Sequence, residues 1–143
     1  MQLAFEEAKK AAAMGEVPVG AIIVKDGEVI ATGHNLTESA KDPTAHAEII
    51  AIRKAAAKLG GWRLPGCQMY VTTEPCSMCA GAIVAARVSE VFYGANNTET
   101  GCAGTVFNLF YPRTKVYGGI KAEESQRLLR KFFASIRNPD KYL

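Results

Sequence analysis

Histidine and cysteine are both scarce in this chain, with two of the first and four of the second among 143 residues. Cys67, Cys76, Cys79 and Cys102 are too few and too irregularly spaced to staple a small secreted fold, so a reducing, cytoplasmic setting is expected. Long apolar runs are lacking too. The longest, residues 78–86, falls well short of the roughly 20 residues that span a bilayer and reads as a buried helix. The first residues mix Glu6, Glu7, Lys9 and Lys10 into their apolar positions, unlike the unbroken apolar stretch of a signal peptide. Internal repeats, low-complexity segments and linkers are absent, which agrees with one domain. Net charge is small at +3 but unevenly placed: residues 1–112 carry 9 Lys and Arg against 11 Asp and Glu, and residues 113–143 carry 8 against 3. That basic end suits either contact with phosphate or the solvated face of a helix.

With 48% apolar residues, the chain is long enough for one sizeable core and too short for two ordinary domains, so a single domain over residues 1–143 is expected. Leu3, Ala4, Ala8, Ala11 and Ala12 recur at helical spacing up to Gly15, a residue that commonly stops a helix. Residues 17–24 form a β-branched run, Asp26-Gly27 is a two-residue hairpin turn, and a second strand follows over 29–34. Asp42-Pro43-Thr44 opens a helix, capped by Asp42 or by Thr44, that runs past Ala56 to Gly60-Gly61. A strand is expected over 67–73, a helix from Pro75 through Arg87, a strand over 88–93 and a short strand over 115–117. Leu128, Leu129, Phe132, Phe133 and Ile136 make the apolar stripe of a closing helix, with Arg127, Arg130, Lys131 and Arg137 largely outside it. A hairpin followed by alternating helices and strands predicts an α/β fold, a three-layer α/β/α sandwich around a central mixed sheet of about five strands.

The scarce residues are concentrated in one pattern: His46-Ala47-Glu48, then Pro75-Cys76-Ser77-Met78-Cys79. Cys76 and Cys79 are three apart on a helix expected to begin at Pro75, so they share a face and can grip a single ion. In a first turn, unpaired N–H groups and the positive end of the dipole favour thiolates. Three protein ligands leave a zinc ion one open position, and water there loses its proton near neutral pH. Glu48 lies two residues past His46, nearly opposite it on a regular helix, so both reach one site only if the helix end points at it. A carboxylate beside the water rather than on the metal can take a proton and return it to a ring nitrogen and then to a leaving amine. The pattern therefore reads as a hydrolytic metalloenzyme equipped for deamination. Taken alone, the Cys76-x-x-Cys79 pair also suits a redox dithiol or half of a structural zinc site, with Cys67 or Cys102 as a formal fourth ligand. Both of those cysteines are read as packing residues.

The signature His-x-Glu with Pro-Cys-x-x-Cys does not stand alone. Val17-Pro18-Val19-Gly20, Gly33-His34-Asn35, Asp42-Pro43-Thr44-Ala45, Tyr70-Val71-Thr72-Thr73-Glu74 and Gly101-Cys102-Ala103-Gly104 accompany it. Together they resemble the bacterial tRNA adenosine deaminases, a branch of the cytidine/deoxycytidylate deaminase superfamily, over nearly the whole chain. The resemblance implies a cytidine-deaminase-like sandwich in which His46, Cys76 and Cys79 bind one Zn2+ per chain and Glu48 is the catalytic proton shuttle. It also implies that Asn35, Ala47 and Asn97 contact the substrate, adenosine at the wobble position of the tRNA anticodon loop, which becomes inosine. A cytoplasmic homodimer without membrane association, its pocket near the subunit interface, completes the expectation. Two features depart from the family. Asn97 stands where an acidic residue is usual, and residues 105–119 are short and lack an Asn-His-Arg stretch. Loss of a carboxylate at position 97 removes repulsion toward phosphate, from which a broader range of accepted nucleic acids is expected.

Two other functions suit the same residues. One is deamination of a free nucleobase or nucleoside such as guanine, cytosine or cytidine, which the short 105–119 segment would suit. The other is a catalytically silent nucleic-acid-binding subunit that keeps zinc for its fold, against which Glu48 argues. Elsewhere, His34 reads as a packing or polar surface residue, and Trp62 and Arg63 as closing over the core or a dimer contact. Phe107, Phe110 and Tyr111 read equally as stacking platforms for bases or as core and interface.

Overall fold

The computed structural model describes residues 1–137. The last six residues of the expected 1–143 domain, among them Asp140 and Lys141 counted above in the basic end, lie outside the described residues. Helix α1 (Gln2–Ala13) leads into the hairpin β1 (Gly20–Lys25) and β2 (Glu28–His34), then α2 (Thr37–Ala40) and α3 (Ala47–Leu59). Strand β3 (Cys67–Thr73), helix α4 (Ser77–Ala85), strands β4 (Glu90–Ala95) and β5 (Lys115–Tyr117) and helix α5 (Ala122–Arg137) complete the order. The five strands form one mixed sheet ordered β2-β1-β3-β4-β5. β1 is antiparallel to β2 and β3, while β3, β4 and β5 run parallel. Helices α1 and α5 pack on one face, and α3, with α4 beside it, on the other. The three-layer α/β/α sandwich expected from the sequence is the fold observed.

Close packing of the layers depends on residues without bulk. A Cβ on Gly20 would run into the α1 backbone at Ala8, and one on Gly33 into the α3 backbone at Ala47 and Ala51. Both helices present alanine to the sheet, with Ala4, Ala8 and Ala11 on α1 and Ala47, Ala51 and Ala55 on α3 fully buried. Larger side chains fill the space between sheet and helices, among them Met69, Val71, Ile83 and Val91. Each such side chain stabilises the fold by about 1.5–3 kcal/mol through removal of apolar surface from water. Asp26 and Gly27 both adopt left-handed backbone, at φ 51° and 77°, the geometry of the tight hairpin turn read from the sequence.

Several boundaries differ from expectation, each for a local reason. β1 starts at Gly20 rather than at 17, because Pro18 has no N–H and the Val19 amide closes a short turn onto the Val17 carbonyl at 2.8 Å. Asp42-Pro43-Thr44 is a turn outside α3: the Thr44 amide and hydroxyl donate to Asp42 Oδ1 at 2.8 and 2.7 Å. The N-cap of α3 is His46, neither Asp42 nor Thr44. α4 starts at Ser77 with Cys76 as its N-cap, so Pro75 and Cys76 precede the helix rather than lying within it. The four-residue α2 was not expected. Buried Glu16 holds its start, accepting from the amides of Glu38 and Ser39 at 3.0 and 2.6 Å.

Candidate metal centre and active site

The sheet topology brings the start of β1 and the ends of β2, β3 and β4 to one edge. Helices α3 and α4 both begin there, so their unpaired N–H groups and positive dipole ends converge on the same small region. His46 caps α3 and Cys76 caps α4, with Cys79 in the first turn of α4. This settles how residues 46 and 48 serve one site: the helix end, not a helix face, points at it.

Nδ1 of His46 stands 3.6 Å from Cys76 Sγ and 3.5 Å from Cys79 Sγ. All three ligand atoms lie within 4.8 Å of one another. Nitrogen and sulfur at about 2.1 and 2.3 Å from one tetrahedral ion are separated by about 3.6 Å, so the trio fits zinc with an open position. Cys67 and Cys102 are buried outside this group and supply no fourth ligand within it. Both thiols are pushed up by burial.

Protonation follows from the crowding. The Cys76 thiol is pushed down to about 4, first by a hydrogen bond from Cys79 and then by His46. Cys79 is pushed up because it retains the shared proton and is buried, and His46 is pushed up chiefly by its hydrogen bond with Cys76. A divalent cation displaces these protons, since metal binding requires thiolates and a neutral imidazole. Glu48 is 3% exposed. Burial raises its carboxyl pKa, and the neighbouring Cys79 thiol offsets only part of that rise. It is adjacent to the ligands without belonging to their group.

A cleft of about 710 Å³ opens over the trio. Val17, Val19 and Asn35 line one side, Asn96, Asn97, Thr98, Glu99 and Thr100 another, and Leu129, Arg130, Phe133 and Arg137 of α5 reach its rim. Asn35 accepts the Ala47 amide at 2.9 Å through Oδ1, which leaves its N–H₂ end for a ligand. Ala47 is fully buried, its amide is engaged with Asn35, and it does not line the cleft. Asn97 lines the cleft, but its side chain is committed to its own turn. Oδ1 accepts from Glu99 and Thr100 amides at 3.1 and 3.0 Å, and Nδ2 donates to Thr100 Oγ1 at 2.8 Å.

Other residues singled out from the sequence fall away from the cleft. His34 Nδ1 pairs with Glu7 of α1 at 2.7 Å, a packing role as expected. Phe110 is fully buried, whereas Phe107 and Tyr111 are 66% and 80% exposed. None of the three lines the cleft. Trp62 is exposed with the Arg63 guanidinium 4.3 Å above its ring, so it does not close over the core. Arg130 and Arg137, spaced seven apart, turn one edge of α5 to the cleft, and that spacing was a usable signal. Glu74 carried none: a lone glutamate before a Pro-Cys gives no hint that it is buried. A second cleft of about 740 Å³ lies at the far end of α4, among Arg87, Glu90, Arg113 and Lys115, and contains no histidine or cysteine.

Residues 1–95 match the family described as the cytidine and deoxycytidylate deaminase zinc-binding region. The chain is 46% identical to the tRNA-specific adenosine deaminase of Bacillus subtilis (strain 168) over 146 aligned positions, covering 99% of this chain and 91% of that protein. It is similar to a solved structure from a study of A-to-I editing by tRNA:A34 deaminases at the wobble position of transfer RNA. That likeness has a TM-score of 0.86 and 45% identity over 90% of this chain and 97% of the other. A guanine deaminase from Nitrosomonas europaea is similar at TM-score 0.82 and 25% identity, over 93% and 82% of the two chains.

Proposed function

The chain belongs to the cytidine and deoxycytidylate deaminase family, and on that premise we propose that it converts adenosine to inosine at the wobble position of tRNA. The observation that carries this reading is a His-Cys-Cys trio of zinc geometry beside a buried glutamate, in a chain close in sequence to a tRNA-specific adenosine deaminase. We read residues 1–143 as one deaminase domain that holds one zinc ion through His46, Cys76 and Cys79. Bound zinc supplies a Lewis acid that brings the pKa of water near neutrality. Glu48 takes one proton of the water that adds at C6 of adenine and delivers it to the ring nitrogen, then carries the proton of the added hydroxyl to the amine, which leaves as ammonia while C6 becomes the carbonyl of inosine. Its burial suits the transfers, because loss of solvation makes the carboxylate a stronger proton acceptor. The N–H₂ of Asn35 orients the flipped nucleotide, and Arg130 and Arg137 meet neighbouring phosphates. An unpaired anticodon loop makes flipping inexpensive. Asn97 acts on the substrate through the turn it closes and through its missing charge, and Ala47 through its hold on Asn35.

A homodimer is the assembly we propose. Trp62, Val106, Phe107, Leu109 and Tyr111 are exposed apolar side chains away from the cleft, an amount of uncovered apolar surface that suits a second copy. No helix among the described residues is long and apolar enough to cross a membrane, in keeping with a cytoplasmic tRNA enzyme.

Inosine formation and ammonia release from an anticodon stem-loop, single-stranded DNA, free nucleosides and free bases test the assignment, with Glu48→Ala as control. Turnover of the stem-loop, abolished in the control, is the expected result. The likeness to a guanine deaminase favours a second reading, a free-base deaminase, and turnover of bases alone would establish it over the first. Tight RNA binding without any turnover would instead identify a silent subunit.

A further inference from the structure

Glu74 is only 1% exposed, yet no step above uses it. Its carboxylate accepts from the amides of Asn97 at 3.0 Å, Ala103 at 2.8 Å and Thr105 at 3.2 Å, and from the Thr105 hydroxyl. All four donors belong to the loop that follows β4, whose first half, Asn96 through Thr100, forms one wall of the cleft. The same short stretch holds the end of β4 and the loop itself once more each: the Glu74 amide donates to Ala95 O at 2.8 Å and the Cys102 amide to Pro75 O at 2.9 Å. Gly101 packs so tightly that a Cβ there would lie 2.6 Å from the Glu74 carboxyl carbon. A buried anion thus stands two residues before the ligand Cys76, wrapped by donors from the wall opposite Asn35.

We propose that Glu74 is the positioning residue that fixes this wall against the metal centre and so sets how the substrate is held. A carboxylate is required because every partner is a donor. A glutamine would turn an N–H₂ toward at least one of those amides, breaking contacts without changing side-chain volume. The wall contributes to binding the nucleotide in all of its states, so its loosening falls on KM. This inference rests on the proposed function only where activity is read.

Zinc-loaded Glu74→Gln tests it by three measurements. Amide exchange within residues 96–105 is expected to quicken by about tenfold or more while α3 and α4 keep the parent rate. Zinc content is expected to stay at the parent value, and KM for the anticodon stem-loop to rise by about tenfold with kcat within about threefold. Unchanged exchange over 96–105, loss of zinc, or a fall in kcat at constant KM would each overturn the proposal. Thr105→Val removes one donor to the carboxylate, the hydroxyl, with Glu74 and the loop backbone intact. It is expected to move exchange and KM in the same direction, with the double variant no worse than Glu74→Gln alone, and additive effects would overturn the proposal. Should Glu74→Gln fail to fold, Thr105→Val decides by the same readouts. A parent enzyme inactive on the stem-loop refutes the tRNA assignment, and the exchange measurement still decides the role of Glu74.

Discussion

Replacing Gly33 by alanine tests whether backbone-to-backbone packing of β2 on α3 fixes the catalytic geometry. The added Cβ would stand 2.5 Å from the Ala47 carbonyl oxygen and 2.9 Å from the Ala51 amide nitrogen, both main-chain atoms that no rotamer change can move. Carbon and oxygen come no nearer than about 3.3 Å even in favourable C–H···O contacts, so α3 must retreat from the sheet by roughly 0.8 Å. Overpacking of that kind costs about 1–3 kcal/mol, a fall in melting temperature of about 3–10 °C for a domain of this size. The catalytic loss should be larger than the stability loss suggests. His46 caps α3 and Glu48 sits in its first turn, whereas Cys76 and Cys79 ride on α4, so the retreat separates the two halves of the site. A displacement near 1 Å lowers rate by about 100-fold, which is the expected fall in kcat for anticodon stem-loop deamination. Ammonia-release kinetics and thermal melting of the zinc-loaded variant measure both quantities. Parent-like kcat together with a parent-like melt would show that this contact does not govern the site. A melt lowered as expected with kcat unchanged would show that α3 moves without carrying its two residues out of place.

Glu48→Gln should lower kcat by about 10²- to 10⁴-fold while zinc content stays constant, and turnover near the parent rate would remove Glu48 from proton transfer. His46→Ala and Cys79→Ser should each lose zinc on dialysis against a mild chelator, measured by elemental analysis, and retention at parent stoichiometry would displace the trio as the metal centre. Glu7 and Glu16 are held below the usual 4.5: burial raises them, but hydrogen bonds from Lys10 and His34 to one, and from Ser39 and Glu38 to the other, outweigh it. Groups depressed by folding add stability above their unfolded pKa that is lost as pH falls through the folded value. Melting temperature should therefore drop on acidification below pH 4.5, and Glu16→Gln should flatten that limb. A variant curve parallel to the parent would refute it. In Asn97→Asp the carboxylate still accepts from the Glu99 and Thr100 amides, so the substitution isolates charge. Turnover of single-stranded DNA should fall relative to that of tRNA, and equal ratios in variant and parent would sink the idea that the amide broadens the substrate range.

The layers and the gathering of His46, Cys76 and Cys79 were legible because their signals are local. Asp26-Gly27 marks a hairpin by backbone preference, alanine spacing marks α1 and α3, and the ligand types mark the centre by chemistry. What was illegible depended on which polar group meets which. Asp42 and Thr44 both suit a helix start, whereas His46, which makes no side-chain cap bond, carries no such signal. The choice fell on His46 because Asp42 and Thr44 bond each other, a competition that composition does not rank. Asn97 has the family position of a substrate contact, but whether its amide faces the cleft or its own turn is decided by three loop donors and acceptors around it. Glu74 and Glu16 read as ordinary charged residues. Their burial becomes intelligible only once loops distant in sequence, residues 97–105 for one and 38–39 for the other, deliver amides to them.

The bond from the Ala47 amide to Asn35 has an evolutionary side. One end of that side chain secures the start of α3 while the residue also lines the cleft, so a change at position 35 that reshapes the cleft also orphans a buried donor at about 1–3 kcal/mol. Selection for altered specificity meets a stability penalty there before any benefit appears. At Asn97 an aspartate preserves the turn, and on α5 Arg130 and Arg137 line the cleft rim. Drift in what this scaffold accepts is therefore channelled to its rim, while Asn35 in its wall stays tied to the fold itself.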